Sequence, residues 1–238
     1  MGFLKQSQVG RRYFIYHSGG AGILALLNYF AVGRVCLTWD AGLWYLAFCV
    51  GTLVFSFTVT KKRMASIVSY FIGVVCLVGA LVIHGSDIAP PLQSFAFNIN
   101  ALLSMLLLGF TLNAMMLGHW YLIQPDLPIA ELKRISLIML VLMTARLLYS
   151  VYPLSSIVAH KNEMEIYSYF LSTTSGVFLL MRVTWGILAP LVFGYLIWNT
   201  VKISSTQSAT GILYVAVLSV ITGEIISLYL AQFHGISL

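Results

Sequence analysis

Residues 135–157 read ISLIMLVLMTARLLYSVYPLSSI, and Arg146 is the one charged residue among them. A helix that crosses a bilayer needs about 20 predominantly apolar residues, because the hydrocarbon core offers no water to an unpaired backbone group. This stretch has the required length and composition. It therefore predicts a membrane-spanning helix that carries one buried cation.

The rest of the chain has the same character. Of its 238 residues, 60% are apolar and 8% are charged, with 13 basic and 7 acidic side chains. A soluble domain carries about 25% charged residues, because its surface must be hydrated. The composition excludes a soluble enzyme, a disordered chain and a nucleic-acid-binding module. We therefore expect an integral membrane protein.

Charged residues and prolines divide the chain into seven apolar stretches. The apolar runs do not alternate with polar residues, as the strands of a membrane barrel would. The fold expected is all-α, a bundle of seven transmembrane helices forming a single domain over residues 1–238. The predicted spans are about 13–33, 41–60, 64–84, 95–123, 135–157, 167–199 and 210–233.

The distribution of Lys and Arg predicts the orientation, because short cytoplasmic connections are enriched in these residues. With seven spans, the N-terminus shares a side with the second, fourth and sixth connections. The opposite side carries Arg34 and Lys161. We expect a cytoplasmic N-terminus and an external C-terminus, in a plasma membrane or a bacterial inner membrane. The basic residues on the predicted cytoplasmic side are Lys5, Arg11, Arg12, Lys61, Lys62, Arg63, Lys133, Arg134 and Lys202.

Three ionisable residues fall inside predicted spans: Arg146, Arg182 and Glu224. Each costs at least about 2.5 to 3.5 kcal/mol at the bilayer centre, so such residues are candidates for function. Because the last two spans are antiparallel, Arg182 and Glu224 should lie at nearly the same depth. We predict these three as candidate catalytic residues that bind an anion or a quinone oxygen or relay protons. The alternative is a structural ion pair that joins two helices.

Two histidines, His17 and His119, lie in the cytoplasmic halves of the first and fourth predicted spans. A b-type haem needs two neutral imidazoles at matched height, with small residues nearby that make room for the macrocycle. Gly19 and Gly20 follow His17, and Gly118 precedes His119. We therefore predict these histidines as candidate cofactor ligands. Glycines in membrane helices also serve close helix packing, which is the alternative interpretation.

The fourth predicted span also carries a polar stripe. Its members fall within about 100° of the helix circumference, and such a stripe faces protein or a cavity rather than lipid. The stripe indicates either interhelical hydrogen bonds or a ligand-lined path that ends at His119 and Trp120. Its members are Asn100, Ser104, Thr111, Met115 and His119.

Three functions remain open on the sequence alone. The first is a membrane subunit of a multi-protein electron-transfer complex, with a quinone pocket and a haem b site. The second is a small proton-coupled or anion transporter that uses the three intramembrane charges, with a hinge at Pro190 in the sixth span. The third is a scaffold subunit without chemistry of its own. In each case the partners expected are lipid and other subunits, with no metal site and no nucleic acid.

Overall fold

The computed structural model describes residues 91–124, 127–159, 162–234 and 236, together with scattered positions between residues 19 and 79. The chain divides into two compact units, Met1–Asn98 and Ile99–Leu238. The first three predicted spans lie almost entirely outside the described residues, and His17 lies outside them. The fourth to seventh predicted spans fall in the part of the chain that the structure describes.

Helices account for nearly all of residues 91–234, and no strand occurs in the described ranges. The connections between them are short. Within these ranges, one π-helical segment interrupts a long helix. The elements are α1 (Pro91–Ile123), α2 (Ala130–Val158), α3 (Glu163–Ser172), α4 (Thr174–Val183), π1 (Thr184–Leu188), α5 (Ala189–Lys202) and α6 (Thr206–His234).

Four helical stretches of the described residues are long and apolar enough to cross a membrane: Asn98–Ile123, Ala130–Val158, Thr174–Lys202 and Thr206–Ala231. The third of these runs continuously through α4, π1 and α5. Large apolar side chains point away from the helix contacts, including Leu148 at 67% exposure. This is the pattern of a multi-pass membrane protein, since lipid replaces water around such side chains.

The sixth predicted span, 167–199, differs from the helix observed. The chain is extended at Thr173, with φ −95° and ψ 139°, so α3 ends there and the membrane-length helix begins at Thr174. The hydroxyl of Thr173 donates to the carbonyl of Tyr169 and closes the end of α3. A Cβ atom on Gly176 would come within 2.8 Å of the Cα of Phe170. The first turn of α4 therefore lies directly against the last turn of α3.

The connection between α5 and α6 is a tight helix-ending turn. Ser204 is left-handed, with φ 61°. Its N–H donates to the carbonyl of Val201, and the N–H of Ser205 donates to that of Thr200, the two bonds of a Schellman motif. The motif ends α5 and returns the chain antiparallel to it as α6.

The ends of the membrane-length helices lie at two common levels, which we call the Lys202 end and the His234 end. The Lys202 end is formed by the last turn of α5, the first turns of α2 and α6, and the last turn of α1. The His234 end is formed by the last turns of α2 and α6 and the first turn of α4. At the His234 end, α4 and α6 pack through Leu179, Ile226 and Leu230, which form a buried apolar core.

Candidate functional site

Arg182 and Glu224 form an ion pair between α4 and α6. Nη2 of Arg182 donates to Oε1 of Glu224 over 3.1 Å. Arg182 is fully buried, and Glu224 is 8% exposed. The predicted proximity of these residues on antiparallel neighbouring helices is therefore confirmed, whereas their role stays a prediction.

Arg146 extends this pair to a third helix. Its Nη2 atom donates to Oε2 of Glu224 over 3.3 Å, and its Nη1 atom donates to the backbone carbonyl of Asn100 on α1 over 2.9 Å. The Arg146 side chain is 1% exposed. Glu224 thus accepts one hydrogen bond from each arginine through separate oxygens. We call Arg146, Arg182 and Glu224 the charge cluster.

The charge cluster lies closer to the His234 end than to the Lys202 end. The midpoints of the second, third and fourth candidate spans fall at residues 144, 188 and 218–219. Arg146, Arg182 and Glu224 are two, six and five or six residues from these midpoints, each toward the His234 end. At about 1.5 Å per residue, the displacement is about 3 to 9 Å. The three side chains therefore meet at one level within the hydrophobic part of the unit.

Within the cluster, two guanidinium groups face one carboxylate. Desolvating charges is costly, and their mutual attraction compensates only when the geometry is good and hydrogen bonds satisfy the groups. Ion pairs of this kind hold helices together, and they also provide donors and acceptors for a substrate or a proton. The arrangement thus joins α2, α4 and α6 through ionisable side chains inside the membrane-spanning part.

Asn100, next to the cluster, carries a buried acceptor. The residue is 7% exposed, and its side-chain Oδ1 atom has no hydrogen-bond partner within the described part of the chain. Buried carbonyl oxygens of this kind are usually satisfied by protein, water or a ligand. Four members of the predicted polar stripe, Asn100 to Met115, are buried or partly buried, and the stripe ends at the exposed His119.

The π segment begins two residues after Arg182. Pro190 explains its position, because a proline has no N–H to donate to the carbonyl one turn earlier. The N–H of Ala189 donates to the carbonyl of Thr184, five residues back. Isolated π turns occur frequently at functional sites. The sequence indicated a hinge at Pro190, and the irregularity in the described helix falls immediately before that residue.

A second polar site lies near the Lys202 end, on the outside of α1 and α6. Nδ1 of His119 and the hydroxyl of Tyr214 are 3.1 Å apart. His119 is exposed, and Tyr214 is 43% exposed. Side chains in a helix point toward its N-terminus, and α1 and α6 are antiparallel. The two rings therefore point toward each other from different levels.

Gly118 allows α1 and α6 to approach closely beside this pair. A Cβ atom at Gly118 would be 2.8 Å from Oγ1 of Thr210 and 3.2 Å from Cδ1 of Leu213. Both of these α6 residues are buried. The space next to Gly118 is thus filled by α6, so this glycine serves helix packing. It does not provide the room for a macrocycle that the sequence suggested.

The fit to a haem is accordingly partial. With Nδ1 bonded to Tyr214, the Nε2 atom of His119 remains for another partner, as in metal-ligating histidines whose second nitrogen is hydrogen-bonded. His17, the other predicted ligand, lies outside the described residues. No group of three or more His, Cys, Asp or Glu side chains suited to a metal ion occurs among the described residues.

Two further aromatic residues, Trp120 and Tyr121, follow His119 in the sequence. Nε1 of Trp120 donates to Oε1 of Gln124 over 3.2 Å, and the hydroxyl of Tyr121 donates to the carbonyl of Pro128 over 2.5 Å. These bonds attach the end of α1 to the following connection. Sequence reasoning missed Tyr214, because only the pairing of α1 with α6 brings it to His119. Tyr214 lies four residues after Thr210 and therefore near the same face of α6. This spacing indicates a contact with His119 only if the pairing of α1 with α6 is already known.

Comparison with known proteins returned no similarity: no family model matches the chain, and neither does any curated protein or solved structure.

Proposed function

We propose that this chain is the membrane-embedded subunit of a multi-protein electron-transfer complex and that it binds the headgroup of a lipid-soluble quinone. The observation that carries the proposal is the exposed His119–Tyr214 pair on the outer face of α1 and α6. The pair offers an imidazole and a phenol to a molecule that arrives laterally through the bilayer.

The depth of the pair suits such a ligand. The span Asn98–Ile123 has 26 residues and is about 39 Å long, so each end extends about 4 to 5 Å beyond a hydrocarbon core of about 30 Å. His119 is four residues from Ile123, and Tyr214 is eight from Thr206, about 6 and 12 Å from the helix ends. The rings therefore meet about 4 to 5 Å inside the core boundary, within reach of a quinone ring near the interface.

The chemistry of the pair matches the headgroup. The two carbonyl oxygens of a quinone accept hydrogen bonds, which an imidazole N–H or a phenol O–H donates. Reduction to the quinol consumes two electrons and two protons, and the electrons would come from a redox centre on a partner subunit. A histidine is the side chain best suited to passing protons near neutral pH. Interfacial tyrosine residues also anchor membrane helices without any ligand.

The topology proposed for the whole chain has seven spans, with the Lys202 end in the cytoplasm. Lys133, Arg134 and Lys202 lie at this end, in agreement with the preference of basic residues for cytoplasmic connections. In this orientation the His119–Tyr214 pair is on the cytoplasmic side of a plasma membrane or bacterial inner membrane. Partner subunits carrying the redox centres would dock at the same side.

Fluorescence of Trp120, the residue after His119, tests quinone binding directly. A variant in which Trp39, Trp44, Trp185 and Trp198 are replaced by Phe reports from Trp120 alone. In lipid nanodiscs, decylubiquinone should quench this emission saturably, and H119F should weaken the binding. Partition into the lipid alone gives quenching that rises linearly and is equal in both variants, and that result would reject the proposal and favour a scaffold role.

The charge cluster supports a second candidate, proton-coupled or anion transport, because it buries ionised side chains on three helices. In proteoliposomes, E224Q should then abolish flux of the transported ion while the protein still folds and inserts. Loss of folding in E224Q instead indicates a structural ion pair.

Within the electron-transfer proposal, ligation of a haem b by His17 and His119 is the alternative role of this imidazole, because Nε2 of His119 cannot bind iron and a quinone at the same time. It would produce a Soret band that shifts when dithionite is added to the purified chain or to its native complex. Absence of the band from both samples leaves quinone binding as the cofactor role of this site.

A further inference from the structure

The π segment lies against one face of α6, and a side chain of α6 donates a hydrogen bond to one of its backbone carbonyls. A π turn shifts the hydrogen-bonding register, so carbonyls in and near it lose their usual partners. Oγ of the fully buried Ser219 donates to the carbonyl of Trp185 over 2.5 Å. A side chain of α6 therefore supplies a donor to the irregular part of the neighbouring helix.

One turn further along α6, two glycines bring the backbones into contact. A Cβ atom on Gly186 would lie 2.7 Å from the Cα of Gly223, and a Cβ atom on Gly223 would collide with the Cα of Gly186. Real Cβ atoms do not make contacts this short with backbone, so both positions require glycine as long as the helices keep this separation. The backbones of the π segment and α6 are thus in direct contact at these two glycines.

The guanidinium of Arg182 occupies the space that these glycines leave. Its Nη1 atom would be 2.8 Å from a Cβ atom on Gly223 and 3.0 Å from one on Gly186. The Nη2 atom of the same group donates to Glu224, the residue that follows Gly223. One edge of the guanidinium therefore lies against the glycine contact while the other reaches the carboxylate.

We propose that Ser219, Gly186 and Gly223 form a socket that positions the Arg182 guanidinium on Glu224, with the π segment as its second wall. Ser219 fixes the segment by bonding to Trp185, and the glycines provide the space in which the guanidinium lies. The role assigned to them is positioning, because they act through Arg182. The proposal concerns the charge cluster and does not depend on quinone binding.

Solid-state NMR of the full chain in lipid bilayers tests the socket. Arginine is labelled with ¹⁵N in the guanidinium and glutamate with ¹³C in the carboxylate, so that dipolar coupling reports Arg–Glu contacts. The variants R182K and R146K assign the two contacts of Glu224. The ion pair between the exposed Arg134 and the buried Glu131, at 3.3 Å, gives an internal reference in every sample.

The variant G223A should lose the Arg182–Glu224 coupling and keep the reference coupling. G211A, on the same helix with open space around its Cβ position, should keep both. S219A removes only a hydroxyl, so it replaces G223A if that variant does not fold, and it is expected to weaken the same coupling. A folded G223A or S219A protein with the Arg182–Glu224 coupling at wild-type strength overturns the proposal.

Discussion

Arg182 and Glu224 are 42 residues apart in the chain, yet Nη2 of the first donates to Oε1 of the second over 3.1 Å inside the membrane-spanning part. Arg146 reaches the other oxygen of the same carboxylate. One acidic side chain on α6 therefore connects to both α2 and α4. Apolar burial gives membrane helices little driving force to associate, because lipid tails are equally apolar. The charge cluster adds directional hydrogen bonds between these helices to their van der Waals packing.

Removing the carboxylate should destabilise the protein strongly. In E224A both arginines lose their shared partner, and a buried charge left without its partner costs about 3 to 5 kcal/mol. The free energy of unfolding, measured by SDS titration from mixed micelles, should fall by about that amount. E163A serves as the matched control, because Glu163 is exposed on α3. An equally small effect of both substitutions would show that the cluster contributes nothing to stability.

A lysine should not replace Arg146. The guanidinium uses Nη1 for the carbonyl of Asn100 and Nη2 for Glu224, whereas a lysine has one nitrogen on a narrower head. We expect R146K to lose one of these bonds and about 1 to 3 kcal/mol of stability in the same titration. R134K, at an exposed position, is the control. If R146K and the wild type unfold at the same SDS fraction, the simultaneous bonds of Arg146 to Asn100 and Glu224 do not contribute to stability.

The sequence predicted the three intramembrane charges and the matched depth of Arg182 and Glu224 because the signal is local: each charge interrupts an apolar stretch, and each depth follows from counting residues. It predicted the last four membrane helices for the same reason. The break at Thr173 was not predicted, because it depends on Gly176 packing against α3 and no proline marks it. The partnership of His119 with Tyr214 was not predicted either. It arises from which faces of α1 and α6 meet, and residue counting contains no information about that.

Gly118 should be intolerant of alanine. Its Cβ position is 2.8 Å from Oγ1 of Thr210, whereas that of Gly109 on the same helix has no atom within 4 Å. We expect G118A to lower the free energy of unfolding by about 1 to 3 kcal/mol, the usual cost of overpacking. G109A should be neutral or stabilising by up to about 1 kcal/mol, since alanine favours the helix. Equal effects of the two substitutions would show that α1 and α6 are not in close contact here.

Tyr214 should support the function of His119. Y214F removes the hydroxyl that bonds to Nδ1 and leaves the ring, so the fold should persist while the imidazole loses its orientation. One hydrogen bond of about 0.5 to 1.5 kcal/mol corresponds to roughly two- to tenfold weaker decylubiquinone binding in the Trp120 fluorescence titration. Y195F is the control, because Tyr195 is exposed on α5. Identical quinone affinity in Y214F and Y195F would contradict this assignment.

Photolabelling in the bilayer locates the bound quinone relative to His119 and Tyr214. The chain in nanodiscs is irradiated with an azido-quinone, digested and mapped by mass spectrometry, with and without excess decylubiquinone. If the quinone binds there, the label is confined to peptides of α1 and α6 that contain His119 or Tyr214, is removed by the competitor and is greatly reduced in H119F. A label spread over the lipid-facing residues of all helices, unaffected by competitor or substitution, would contradict binding at this site.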